Sequence, residues 1–222
     1  MSAKTTAPVT PTKPRFAAAL HYVENRGRAP LAFLEELLAW GNTAPEEIFA
    51  PNRVPNDAYA VIKPFLGTQK GEDDSGTPIY VWESLLHRRA AMLELMRVHA
   101  GLESSWKWGE GVDKTNPASQ KNKAGEETGI FQVSFDSTYL DSAEGKDIMA
   151  VFLKANGKND GDPAAFIKAM KGNHVFAMEY YARLVRVSIR WAGPLLRPFK
   201  DSVYPNLSKD SMREFMRLLD EK

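Results

Sequence analysis

Between Arg15 and the far end of the chain, apolar residues recur mostly at steps of three and four, the spacing of helices that bury one face. "RFAAALHYVENRG" predicts a helix ending at Gly27, and "APLAFLEELLAWG" predicts a second, with Pro30 near its first turn and Gly41 at its stop. "TAPEEIFAPN" predicts a short helix with Thr43 as its cap, and residues 66–78, "LGTQKGEDDSGTP", read as an exposed acidic loop. The strongest pattern covers residues 81–105, where Leu86, Ala90, Leu93, Met96 and Ala100 mark a buried stripe. The next step of three lands on Glu103, a carboxylate where the pattern calls for a leucine.

Residues 107–128 have no apolar period and many loop formers; a polar connection of that length within a compact domain is often functional. "GIFQVSF" then alternates as a strand does, so a small hairpin is expected within 107–135. Further helices are expected at 142–156, at 163–171 with Asp162 as cap and Pro163 in the first turn, and at 174–191, ended by Gly193-Pro194. "SKDSMREFMRLLDEK" predicts an amphipathic helix in which Ser211 and Glu214 are spaced as a capping box. Residues 1–14, with three prolines and four threonines, predict a disordered tail. The expectation is a mainly α protein with a small β-hairpin. It divides into that tail, a helical extension at 15–80 packed on the core, and a main helical domain at 81–222.

Charge narrows the function. Lys and Arg number 29 against 28 Asp and Glu, a formal charge of +1, so no global field favours nucleic acid or anionic lipid. The absence of cysteine excludes thiol nucleophiles, thiolate metal sites and disulfides. No run approaches the ~20 apolar residues of a membrane span. "MSAKTTAPVTPTKPRF" lacks an apolar core, so no secretory signal peptide is expected there; action on a cell wall, periplasmic or extracellular, would use another export route or a leader since removed.

The chemistry centres on Glu103. Desolvation on an apolar stripe favours the protonated form of a carboxyl, and a protonated carboxyl at a cleft can deliver its proton to a glycosidic oxygen. The plain alternative is a helix-end glutamate paired with a nearby Arg or Lys. Ser104 follows directly, and Trp106 and Trp108 offer rings on which sugars can stack. His99 shares a helix face with Glu103, yet no His-Glu-x-x-His run exists among four histidines; it reads as a hydrogen-bonded, partly buried residue, with no metal and no cofactor expected.

"ESS" at a helix end, a polar loop and then "GIFQVS" resembles the two leading motifs of the goose-type lysozyme and lytic transglycosylase superfamily. The resemblance covers about residues 85–195 and implies a lysozyme-like helical domain. It implies that Glu103 is the general acid, Ser104 the hydroxyl beside it, and Gly129 and Gln132 part of the saccharide floor. A third family element is a Tyr-bearing helix followed by an "AYNAGP"-like turn. Here "FAMEYYARLV" supplies Tyr180 and Tyr181, of which Tyr180 is the candidate sugar contact, while "RWAGP" lacks the Tyr-Asn pair. "WGEGVD" and "EETGIFQVS" are also similar to segments of a divergent bacterial branch with a lysozyme-like core, in which an acid stands shortly before the Gly-x-x-Gln stretch.

A second carboxylate would decide the stereochemistry. About 5–5.5 Å between carboxyls suits a nucleophile and retention, ~6.5–9.5 Å an attacking water and inversion. Glu127 is the first candidate and Asp113 the next; without either, the substrate's N-acetyl group would assist and leave an anhydro end. The expected function is cleavage of β-1,4 bonds in peptidoglycan. Chitosan or chitin hydrolysis, or glycan or protein binding without catalysis, remain the alternatives.

Overall fold

A computed structural model describes residues 15–51, 57–111, 123–138, 153, 161–196 and 202–221. Its elements are α1 (Leu31–Thr43), α2 (Ala58–Leu66), β1 (Thr68–Glu72), β2 (Pro78–Val81), α3 (Leu85–Ser104), α4 (Pro163–Gly172), α5 (His174–Val187), the single turn α6 (Gly193–Leu196) and α7 (Lys209–Asp220). The fold is thus mainly α with a small two-stranded antiparallel sheet. The expected tail at 1–14 and, apart from Leu153, the expected helix at 142–156 fall outside the described residues.

α3 is the axis of the molecule. Ser84 caps it by accepting from the His87 N–H, and the following run of Leu, Ala, Met, Arg and Glu consists largely of strong helix formers. α7 and α1 pack along it, with α2 beside them. The expected single apolar stripe is therefore incomplete as a description: α3 is buried on every side from Ala90 to Leu102. That burial takes in Glu94, Arg97 and His99 as well as the apolar residues.

Two of those charges satisfy each other. Arg97 Nη2 and Nε donate to Glu94 Oε1 and Oε2 at 2.7 and 2.8 Å. Glu94 also accepts from Ser208 N at 2.8 Å and Ser211 Oγ at 2.5 Å, while Arg97 donates to the carbonyls of His21 and Asn206. The carboxylate thus has four donors, the condition under which a buried ion pair is tolerated. Glu214 of α7 binds the backbone N–H groups of Ala18 and Ala19, and Phe16 packs edge-on against Phe215. The 15–80 segment and the rest of the chain share one continuous apolar core.

Several expectations need correction. Residues 15–20 form turns rather than a helix, because Phe16 and Asn25 take left-handed φ values of 64° and 60° and Val23 bridges back to Gly27. Among the described residues the hairpin lies in 68–81, partly within the segment read as an acidic loop, and the described parts of 107–135 hold none. Its turn is closed by Asp73 Oδ1, which accepts from Ser75 N, Ser75 Oγ and Thr77 N; those bonds hold the carboxyl below the usual carboxylate range. Residues 128–133 contribute only the isolated bridge Thr128↔Val133. Thr43 ends α1 and caps nothing, its hydroxyl donating back to Ala39 and Trp40 carbonyls. Ser208, not Ser211, caps α7. By contrast α4 starts as expected, with Asp162 accepting from Ala164 N and Pro163 in the first turn. Among the described residues no helix is long and apolar enough to cross a membrane.

Candidate functional site

Three pieces of chain meet at the C-terminal end of α3: the helix itself, the turn Thr128–Val133, and α5. The helix stops because Ser105 and Trp106 both take left-handed backbone, φ 53° and 60°. Each such non-glycine residue costs on the order of 1–2 kcal/mol. The indole offsets that cost: Trp106 is 6% exposed, lies over Gly101, and donates from Nε1 to the Arg97 carbonyl at 2.8 Å. A Cβ at position 101 would come within 2.6 Å of the ring, so only glycine admits this close approach. The chain reverses tightly here, and Glu103 stands just inside the reversal.

The turn is pinned beneath. Thr128 and Val133 exchange backbone hydrogen bonds at 3.1 and 3.3 Å, and Gly129 N donates to the Glu110 carbonyl at 3.0 Å. Gly129 has φ 71°, and a side chain there would press on the Met170 carbonyl at 3.0 Å, so both conformation and space require glycine. Ser104 Oγ lies 3.1 Å from Ala100 O and 2.9 Å from Ile130 O, and accepts from Lys107 N. The hydroxyl is buried and staples turn to helix. Gln132 folds back, its Nε2 donating to the Gly129 carbonyl at 2.8 Å.

Glu103 itself is partly exposed, at 24% for the side chain, and its Oε1 lies 3.2 Å from Nε2 of His99. His99 is fully buried, and its Nδ1 is hydrogen-bonded to the Tyr181 hydroxyl. The Tyr181 ring stacks on Phe131 of the turn, centroids 4.1 Å apart and planes 13° apart. Burial, and then the facing Glu103 charge, push the Tyr181 phenol well above its ordinary pKa. A line of polar contacts thus runs from the core through an imidazole to a carboxylate at the surface.

The other expected site residues are distributed differently. Tyr180, the expected sugar contact, is buried instead: its hydroxyl pairs with Ser137 Oγ at 2.6 Å and its ring packs on Phe166 and Phe176. Burial raises its pKa also. It is Tyr181 that reaches Glu103, through His99. Trp106 is core, as described, and leaves no face for a sugar. Trp108 is half-buried, with one face stacked on His174 at 3.8 Å and 7° and Phe33 at 5.9 Å. Glu127 is half-buried immediately before Thr128, and Asp113 lies outside the described residues. Glu110 sits 3.5 Å from Lys107 Nζ. Among the described residues no three His, Asp or Glu side chains are arranged to hold a metal ion.

His99 was legible only as the fourth-residue neighbour of Glu103, and Tyr181 only as one of two adjacent tyrosines. Nothing in the pattern distinguishes the two, because α5 is buried on both of the sides they face. In comparisons with known proteins, no family model, no characterised protein and no solved structure matches the chain.

Proposed function

We propose that this chain cleaves β-1,4 glycosidic bonds of peptidoglycan, as a lytic transglycosylase or muramidase, with Glu103 as general acid and then as base. The observation that carries the reading is the state of the Glu103 carboxyl: it is partly exposed at a helix end, with one oxygen engaged by a buried imidazole beside the Gly129–Val133 turn. A carboxyl held through one oxygen keeps the other available for a proton, which general acid chemistry at a glycosidic oxygen requires. The order Glu103-Ser104, then Gly129 and Gln132, adds the resemblance to goose-type lysozymes and lytic transglycosylases.

In this reading Ser104 and Gly129 act by shape, joining the turn to the helix so that the turn's backbone forms a floor next to the acid. Glu127 and Asp113 are the candidates for a second carboxylate. If neither is needed, the substrate's N-acetyl oxygen meets the anomeric carbon and the product carries an anhydro end.

Mass spectrometry of purified peptidoglycan after digestion tests the reading, with wild type and Glu103→Gln in parallel. Anhydro-sugar ends identify a transglycosylase and new reducing ends a muramidase. Absence of both from the wild type would overturn the proposal.

A second reading, glycan or protein binding without catalysis, draws on the burial of Trp106 and Tyr180 and on the His174 ring covering Trp108. Those placements leave less aromatic surface for a sugar than the spacing suggests. Retention of the wild-type chain on insoluble peptidoglycan, with no products released, would select it.

A further inference from the structure

We propose that Tyr181 and His99 are positioning residues for Glu103: the Tyr181 hydroxyl holds His99 as the tautomer protonated on Nε2, and that N–H fixes Oε1, leaving Oε2 to carry the transferred proton. The inference rests on the reading of Glu103 as an acid and adds to it an orienting device and an assignment of its two oxygens.

The reasoning starts from donors and acceptors. A neutral imidazole has one N–H and one lone pair. Once Glu103 has given up its proton its carboxylate only accepts, so in that state the nitrogen 3.2 Å from Oε1, Nε2, is the donor; an acid protonated on Oε2 keeps Oε1 as the same acceptor. Nδ1 is then the acceptor, and its partner, the Tyr181 hydroxyl, must donate. The phenol is able to do so at any pH suited to glycan cleavage, since burial above all keeps it protonated. The reverse arrangement would set an Nε2 lone pair against carboxylate lone pairs.

Packing fixes the rest. Tyr181 cannot swing away, because its ring lies against Phe131 at 4.1 Å and at 4.9 Å from the His99 ring. His99 is fully buried on α3, one turn before Glu103, so the imidazole has no alternative partner in water. The same "GIFQVS" segment that forms the turn thereby buttresses the tyrosine.

In the chemical step the Oε2 proton passes to the glycosidic oxygen as the bond from that oxygen to the anomeric carbon breaks, the bonding pair leaving with the oxygen. The anomeric carbon is met by the substrate's N-acetyl oxygen or by water. Glu103 becomes anionic, and the His99 N–H, already aimed at Oε1, becomes a charge-assisted and stronger donor. His99 neither gains nor loses a proton. Its effect is therefore on the transition state more than on binding.

The test combines nitrogen-15 NMR of the histidine rings in the full chain with kinetics on peptidoglycan. In the wild type, His99 should show the Nε2–H tautomer. Tyr181→Phe keeps the ring on Phe131 and removes the donor; it should admit the Nδ1–H form and lower kcat roughly 10–100-fold, the scale of one hydrogen bond to a charged group, with KM little changed. His99→Gln, which can present an N–H toward Oε1, should retain more activity than His99→Leu at matched melting temperature. Wild-type His99 protonated on Nδ1, or Tyr181→Phe with unchanged kcat, overturns the inference while the enzyme reading stands. An Nε2–H tautomer in a chain that cleaves no glycan removes the enzyme reading, and with it the catalytic part of the inference.

Discussion

Glu94 and Glu103 are nine positions apart on one helix, which at about 100° per residue sets them on opposite sides of α3. Glu94 is sealed: 0% exposed, with both oxygens engaged by Arg97, Ser208 and Ser211. Glu103 is at 24% exposure, with Oε1 held by His99. The first carboxylate has had its hydration replaced in full by protein donors and has become part of the framework. The second retains contact with solvent and with anything that solvent brings. Chemistry needs that kind of incompleteness, and a buried carboxylate with four donors cannot supply it.

The same substitution at both positions sharpens the contrast most. Glu94→Gln leaves the Arg97 guanidinium buried without its countercharge and should cost about 3–5 kcal/mol, read from the midpoint of urea unfolding. Glu103→Gln should leave that midpoint within about 1 kcal/mol of wild type, yet, on the proposed function, reduce glycan cleavage by ~10²-fold or more. A large loss of stability in Glu103→Gln would make the two carboxylates alike and break the comparison.

Removing one donor from the sealed carboxylate is the next test. Ser211→Ala deletes the 2.5 Å bond to Glu94 Oε2 and should cost roughly 1.5–3 kcal/mol in the same measurement, with turnover unaffected. If turnover falls as well, the two sides of α3 are coupled rather than separate.

The smallest effect lies at high pH. Tyr59, Tyr180 and Tyr181 all have phenols raised above their ordinary value of 10.0, with burial the largest cause. Below that value both folded and unfolded chains keep these protons, and stability is unaffected. Above it the unfolded chain ionises first, so the folded state binds more protons and stability falls as pH rises, by up to about 1.4 kcal/mol per pH unit for each phenol. Tyr181→Phe should remove one such contribution, seen as a shallower decline of melting temperature above pH 10.0. An unchanged slope would mean that the Tyr181 phenol ionises alike in both states.

Much of the helical frame was legible in the sequence, where local chemistry carried it. α4 announced itself through Asp162-Pro163, and α3 and α7 through long runs of helix formers. The hairpin was not legible because β1 reads "TQKGE", exposed at four of five positions, and so carries no alternation of apolar and polar residues. No element was expected over α2, whose interior holds Pro64, a residue that ordinarily interrupts a helix. The candidate site was legible in part. Glu103 stood out against the stripe, but Glu94 is buried more deeply and was not singled out, since periodicity assigns faces and cannot report what packs against each one. Trp106 was misjudged for a similar reason: two left-handed residues fold its ring back under the helix, a reversal that no hydrophobic period records.

The completion of Glu94 also sets an order in time. Its last two donors, Ser208 N and Ser211 Oγ, lie 114 and 117 positions downstream, and the Glu214 contacts to Ala18 and Ala19 span 196 and 195. A chain emerging from the ribosome at about 5–20 residues per second has therefore exposed α3 for several seconds before residues 208–214 exist to finish it. Until then the Glu94 carboxylate lacks two of its four donors, and burying it with Arg97 alone would leave its charge under-satisfied. The ion pair at the middle of the molecule is thus completed from the far end of the chain, by the start of α7.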